Sequence, residues 1–99
     1  MKPSEIITSR VTRGDMLAQL AEECCELAQA ALKLRRTFEG TSPTPVTQED
    51  AEREFREEIA DVLLTMRYAA GLEIIVKNAA DIDGMSALKK ARWARRLSK

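Results

Sequence analysis

A chain of 99 residues, with 44% hydrophobic and 32% charged side chains, has the composition of one small folded domain, which excludes a disordered chain. Sixteen acidic and sixteen basic residues give a formal net charge of zero, so net charge provides no reason to expect a nucleic-acid polymer or a membrane as partner. One Trp, one Tyr and two Phe leave the core to aliphatic residues, which favours helices packed on helices.

The first long helix is predicted to follow a short lead-in of about eleven residues. Thr12 followed by Asp15 is typical of a capping box, and the helix that it opens is predicted to end near Arg36 or Thr37. Apolar residues in this helix recur at alternating intervals of three and four, which predicts a seam that packs against another helix. The seam residues are Leu17, Leu20, Cys24, Leu27, Ala31 and Leu34.

The second long helix is predicted after a loop, because a glycine and two prolines lie between Gly40 and Pro45. Thr47 and Asp50 repeat the capping pattern, and the helix is predicted to stop near Gly71. Its seam consists of Phe55, Ile59, Val62, Met66 and Ala69. Because a hairpin joins the two helices, we expect them to pack antiparallel.

The C-terminal part is predicted to contain two shorter helices. One is an apolar segment from Leu72 to Ala80, and Asp83-Gly84 is read as a turn after it. Residues 85–98 are predicted to form a last, basic helix, since six basic residues and no acidic residue lie between Met85 and Lys99. Its apolar positions are Met85, Leu88, Trp93 and Leu97.

These elements predict an all-α fold, an antiparallel helical bundle of two long helices and shorter C-terminal helices, in a single domain over residues 1–99. A domain of this size has a modest core, so we expect oligomerisation to complete it. Cys24 and Cys25 are adjacent on a helix and cannot bridge to each other without distorting it. Two free thiols, no secretory signal and no long apolar run predict a cytoplasmic protein.

Two acidic clusters provide the strongest functional pattern: Glu22-Glu23-x-x-Glu26 and Glu57-Glu58-x-x-Asp61. Each cluster flanks a seam in the same rotational sense, so antiparallel packing places both along one edge of the helix pair. Crowded carboxylates repel each other unless a cation neutralises them. Because the chain has no histidine, the site is expected to be all-carboxylate and to prefer Mg²⁺, with Mn²⁺ as a substitute. The alternatives are a solvated acidic face and ion pairs with arginines of another helix.

Two further residues share that face. Glu54 precedes Glu58 by four residues and is a candidate ligand or general base. Lys33 follows Glu26 by seven residues, where an ammonium group can contact a phosphate oxygen. The alternative for Lys33 is an ordinary solvated lysine.

The segments LAEECCELAQAALKLRR, from Leu20, and EEIADVLLTM, from Glu57, resemble the MazG-like all-α nucleoside triphosphate pyrophosphohydrolases over roughly residues 15–70. The family signature is an ExxE on one helix and an ExxD on the next. The resemblance implies Mg²⁺-dependent cleavage of a nucleotide to the monophosphate and pyrophosphate, by homodimers or dimers of dimers. It assigns the metal to Glu23, Glu26, Glu58 and Asp61, and it leaves Glu22 and Glu54 as candidates for the general base.

The basic last helix follows the family pattern less closely. Many relatives carry a lysine followed by an asparagine and further basic residues that contact phosphate. Here the corresponding positions after Lys89 and Lys90 hold Trp93 and Ala94. Phosphate contact from this helix is therefore one reading, and pairing with the acidic second helix of a neighbouring subunit is the other. The basic residues concerned are Lys90, Arg92, Arg95 and Arg96.

Several functions remain open at this stage. The leading one is hydrolysis of a non-standard or surplus (deoxy)nucleoside triphosphate, and a close variant is phosphoribosyl-ATP pyrophosphohydrolase. The alternatives from other classes are a non-catalytic helical module that binds metal or a partner, and a structural oligomerisation domain. The base is not predicted, because Trp93, Tyr68 and Phe38 are more typical of packing than of base recognition.

Overall fold

The computed structural model describes residues 2–40, 46–69 and 78–99, and these residues form four α-helices and no strand. The prediction of an all-α chain is confirmed for this part of the sequence. No helix in the described ranges combines the length and apolar character needed to span a bilayer. The helices are α1 (Pro3–Arg10), α2 (Arg13–Glu39), α3 (Gln48–Ala69) and α4 (Ala79–Leu97).

Both predicted N-caps are present. The backbone N–H of Asp15 donates to the Thr12 hydroxyl at 3.0 Å, and that of Asp50 donates to the Thr47 hydroxyl at 3.1 Å. Each bond satisfies a backbone donor that the first turn of a helix leaves without a partner. At its other end α2 continues slightly beyond the predicted stop and closes on Gly40, whose φ of 62° lies in the left-handed region. These local interactions determine where α2 begins and ends.

The core lies between α2 and α3. Lys33 of α2 pairs with Glu54 of α3, and Met16 lies beside Tyr68, so the two helices run antiparallel as predicted. The buried apolar side chains are few, and none of the described large side chains is completely buried. They are Met16, Ala30, Ala51 and Val62. The helix pair therefore has a thin core.

The predicted seam of α2 is confirmed at Leu20, Leu27 and Leu34, which are half-buried, but at the alternate positions the contact lies one residue earlier than predicted. Leu17, Cys24 and Ala31 were expected in the core, but they are exposed, so the prediction is wrong for these three residues. The buried and half-buried line runs instead through Met16, Leu20, Glu23, Leu27, Ala30 and Leu34. The reason is that α2 is apolar over an arc wider than one neighbouring helix covers, so a three-and-four spacing fits two adjacent faces. Glu23 consequently takes a position in the contact.

The shorter helices also differ from their predictions. Residues 3–10 form α1 instead of an unstructured lead-in, with Pro3 in the first turn, where its missing N–H costs nothing. The turn predicted at Asp83-Gly84 is wrong, because α4 runs through both residues. One glycine costs a helix only about 1 kcal/mol, which is too little to end it. The predicted stop at Gly71, residues 72–77 of the predicted Leu72–Ala80 helix and the loop at 41–45 lie outside the described residues. Ala79 and Ala80, the end of that predicted helix, are the first residues of α4.

Alanine substitutions at Gly40 and Gly84 are predicted to change the free energy of unfolding in opposite directions. Gly40→Ala should lower the free energy of unfolding by about 1 kcal/mol, because a left-handed φ brings Cβ close to the following carbonyl oxygen. Gly84→Ala places a Cβ in open space within α4 and should stabilise that helix by up to about 1 kcal/mol. Urea unfolding and helix content by circular dichroism measure both changes. Equal effects of the two substitutions would contradict the left-handed assignment of Gly40.

Candidate metal centre

Three glutamates converge where α2 and α3 meet, and we call them the glutamate cluster: Glu23, Glu26 and Glu58. Glu23 and Glu26 are three residues apart on α2, so they lie on one side of that helix. Glu58 reaches the same place from α3. One carboxylate oxygen from each residue lies within 4.8 Å of the other two.

Two of these carboxylates are incompletely satisfied. The Oε2 atoms of Glu23 and Glu58 are buried, and neither has a hydrogen-bond partner among the described residues. The other oxygen of Glu23 accepts a hydrogen bond of 2.8 Å from the Gln19 amide, which holds the side chain in place. A buried acceptor without a partner costs about 1–3 kcal/mol, and an ionised one costs more. A cation within the cluster would supply the missing interaction to both atoms.

Repulsion within the cluster raises the pKa of Glu26. The pKa of Glu26 is raised above its ordinary value, first by the negative charge of Glu23 and a hydrogen bond with it, and then by the charge of Glu58. The same negative potential that favours a proton on Glu26 favours a divalent cation.

The other predicted cluster residues lie outside this group. Asp61 is exposed, and its carboxylate is not among the three that converge, although its backbone carbonyl accepts a hydrogen bond of 2.8 Å from the Thr65 hydroxyl. Glu22 is also exposed. On α2 the contact lies one residue earlier than predicted at alternate positions, which turns Glu23 inward. Glu58, on α3, is half-buried next to the predicted seam residue Ile59. Glu26 stays at the rim and Asp61 points to solvent.

An open groove of about 580 Å³ adjoins the cluster between α2 and α3, and we call it the α2–α3 groove. Lys33 Nζ lies 3.1 Å from both carboxylate oxygens of Glu54, so the structure brings together the predicted phosphate ligand and a predicted base. Arg36 is half-buried and forms no ion pair among the described residues. The lining consists of Glu26, Gln29, Leu32, Lys33, Arg36, Glu54 and Glu58.

Arg36 and Gln29 are groove residues that the sequence reasoning missed. Both were readable from spacing, because Gln29 and Arg36 lie three residues after Glu26 and Lys33, on the same side of α2. The sequence analysis assigns Arg36 only to the predicted end of the first long helix. Its guanidinium group provides planar donors suited to phosphate oxygens.

The basic residues of α4 do not line the α2–α3 groove, and every described residue of α4 is exposed. The residues concerned are Lys90, Arg92, Arg95 and Arg96. Within the described chain the cationic side of the groove is therefore provided by Lys33 and Arg36. Of the three aromatic candidates, Phe38 and Trp93 are 60% and 65% exposed and take no part in the core. Tyr68 lines a separate cleft of about 120 Å³.

Comparison of the chain with protein-family models, with curated proteins and with solved structures found no match. Function is therefore inferred from the glutamate cluster and the groove beside it. Hard divalent cations such as Mg²⁺ and Mn²⁺ bind carboxylate oxygens, and Mg²⁺ usually keeps water or phosphate oxygens in its remaining positions. Three converging carboxylates, two of which line an open groove, are compatible with that kind of coordination.

The raised pKa of Glu26 predicts how stability depends on pH in metal-free protein. The folded state holds the Glu26 proton more tightly than the unfolded state, so this residue's contribution is most favourable at low pH and is lost as pH rises through the carboxyl range to the raised pKa. Glu26→Gln should therefore become progressively more stable than the wild type over that range. Urea unfolding in chelator at a series of pH values measures the difference.

Glu22→Gln is the matched control, because Glu22 is an exposed glutamate of α2 outside the cluster. Its stability should follow that of the wild type across the pH series. A Glu26→Gln curve parallel to the wild type would show that the cluster does not repel the Glu26 charge.

Proposed function

We propose that the glutamate cluster binds Mg²⁺, with Mn²⁺ as a substitute, and that the metal serves hydrolysis of a (deoxy)nucleoside triphosphate to the monophosphate and pyrophosphate. The observation that supports metal binding most directly is the pair of buried, unpartnered Oε2 atoms of Glu23 and Glu58. Asp61 is proposed as a further ligand, because it follows Glu58 by three residues on α3. The resemblance of both motifs to MazG-like enzymes supports the reaction.

The α2–α3 groove is the proposed substrate site. Its volume of about 580 Å³ lies in the range of small-ligand sites, which is about 300–1,000 Å³. Two members of the glutamate cluster, Glu26 and Glu58, line the groove, and Lys33 and Arg36 contribute positive charge. A polyphosphate needs both, because its charge is neutralised by metal and by cationic side chains together. A Mg²⁺ ion held by Glu23, Glu26 and Glu58 would supply Lewis-acid chemistry to the substrate.

Glu54 is favoured over Glu22 as general base, because Glu54 lines the groove and Glu22 does not. In the absence of substrate, Lys33 contacts both oxygens of Glu54. A phosphate that takes Lys33 away from Glu54 leaves that carboxylate able to accept the proton of the attacking water. The bond that breaks joins the α-phosphorus to the bridging oxygen, and pyrophosphate leaves. Substrate binding would thus release the base.

A second candidate function is a non-catalytic metal-binding module that associates with itself or with another protein. The Lys33–Glu54 pair favours it, because each residue already satisfies the other without a substrate. In both candidates we propose self-association, as a homodimer or a dimer of dimers. A role in removing surplus or non-standard nucleotides and action on phosphoribosyl-ATP remain alternatives within the enzymatic reading.

Metal binding is tested by thermal stability. Mg²⁺ or Mn²⁺ should raise the melting temperature of the wild type, by the equivalent of about 2.7 kcal/mol at one hundred times the dissociation constant. Glu23→Gln and Glu58→Gln should abolish this response, and both should be more stable than the wild type in chelator because they remove a buried charge. Glu22→Gln should respond like the wild type. An unchanged response of Glu58→Gln would exclude the glutamate cluster as the metal site.

Catalysis is tested by pyrophosphate release from a panel of ribo- and deoxynucleoside triphosphates and phosphoribosyl-ATP with Mg²⁺ and Mn²⁺. Glu54→Gln should lower kcat by about 10²–10⁴-fold, as expected for loss of a general base. Glu57→Gln, an exposed α3 glutamate outside the groove, is the matched control and should retain activity. If folded, metal-responsive protein turns over no substrate in the panel, the enzymatic function is excluded and the metal-binding module is supported.

A further inference from the structure

Helix α2 has a second apolar face that the described chain leaves uncovered. Between Leu17 and Leu32 it carries eight apolar or small residues outside the contact with α3, and all eight are exposed. At 100° per residue they occupy an arc of about 140°, which contains no charged or polar residue between Leu17 and Leu32. We call this face the α2 stripe: Leu17, Ala18, Ala21, Cys24, Cys25, Ala28, Ala31 and Leu32.

The residue types along the stripe are arranged symmetrically about the midpoint between Cys24 and Cys25. A leucine lies at each end, and these leucines are 49% and 53% exposed. Between them the alanines and cysteines fall in pairs that are equally distant from the midpoint. The pairs are Leu17 with Leu32, Ala18 with Ala31, Ala21 with Ala28, and Cys24 with Cys25.

We propose that the α2 stripe is the contact with a second copy of this chain, in which two α2 helices cross antiparallel about a two-fold axis between Cys24 and Cys25. A two-fold contact uses the same patch on both subunits, so residue i must fit residue j while j fits i. The order of the stripe meets this requirement. Each Leu17 packs on the partner's Leu32, and each Ala21 on the partner's Ala28.

The size pattern suits a close crossing. Alanines and cysteines at the centre let the helix axes approach, and the leucines at both ends interlock where the helices diverge. The stripe is about 22 Å long, or four helical turns. Two copies of the stripe bring no like charges together, because the stripe carries no charged residue. The helix pair also needs additional burial, since no large described side chain is fully buried within the single chain.

The exposed apolar side chains of α4 are the competing occupant. Five of them are large: Ile82, Met85, Leu88, Trp93 and Leu97. They are not arranged symmetrically along α4 as the stripe residues are along α2. In addition, Lys89, Arg92 and Arg96 lie between them on the surface of α4. A basic helix on an uncharged face would have to bring charged groups close to apolar surface. The self-complementary order of the stripe therefore favours the second copy.

Sedimentation equilibrium of the full chain tests the contact. The wild type should have at least twice the chain mass of 11.1 kDa. Ala28→Glu should at least halve that mass, because it buries two carboxylates near the axis. Its helix content should not change, because Ala28 is exposed in the single chain. Ala60→Glu, the same substitution at an exposed alanine of α3, should keep the wild-type mass. A wild-type mass of 11.1 kDa, or an Ala28→Glu mass equal to the wild type's, overturns the proposal.

Crosslinking tests the antiparallel register independently of any destabilised variant. In a Cys24→Ser, Cys25→Ser background, protein with Ala21→Cys is mixed with protein carrying Ala28→Cys and treated with a short bis-maleimide. Positions 21 and 28 are level across the axis, whereas two copies of position 21 are displaced by about 10 Å along it. The mixture should give several-fold more covalent dimer than either protein alone. Equal yields from the mixture and from each protein alone overturn this register.

The inference specifies the self-association proposed above and depends on neither metal nor nucleotide. Both experiments are done in chelator, so their outcome is separate from that of the thermal-shift and turnover measurements. A monomer that still responds to Mg²⁺ would remove the α2 stripe as an interface and leave the glutamate cluster intact. A dimer that ignores Mg²⁺ would do the reverse.

Discussion

The packing of α2 on α3 places two glutamates in a helix contact, and the other features of the molecule depend on this constraint. Glu23 and Glu58 occupy positions on the inner faces of their helices, where an apolar residue would be expected. Each has a buried oxygen without a partner, and Glu26 at the rim adds a third negative charge. Without a cation these groups oppose folding, because buried acceptors are desolvated and the charges repel. A bound cation would join α2 to α3 through the same groups. The proposed metal binding would thus be coupled to stability in this contact.

The groove beside the cluster extends this electrostatic arrangement. Negative charge at the cluster and positive charge at Lys33 and Arg36 lie on the same short stretch of α2, within little more than three turns. Such a sequence of charges complements a metal-bound polyphosphate, in which the cation and the anionic oxygens alternate. The Lys33–Glu54 pair holds both side chains in the groove until an anion competes for the lysine. The proposed chemistry therefore depends on which partner Lys33 contacts.

Helix α2 uses its circumference for three purposes. One face packs on α3 and contributes to the cluster, a neighbouring edge lines the groove, and the α2 stripe remains for a second copy. Leu32 belongs to both the stripe and the groove lining, so the proposed interface reaches the margin of the substrate site. A thin core explains why one helix carries so much apolar surface, because a two-helix contact cannot bury it all. The same breadth of apolar surface misled the assignment of the seam.

The sequence by itself determined the helical class, the two N-caps and the placement of the two acidic motifs along one edge of the helix pair. The first two depend on interactions within a few residues. The third follows because both motifs flank their seams in the same rotational sense and the two helices pack antiparallel. Only the tertiary structure decided which face of α2 meets α3, because a wide apolar arc permits two adjacent faces that differ by one residue at alternate positions. The observed face places Glu23 in the contact and frees Leu17 and Cys24 for another contact, and the packing of α3 leaves Glu58 half-buried and Asp61 exposed. Spacing along one helix carries no information about which of two similar apolar faces its neighbour will cover. That face is determined by the packing of α2 against α3.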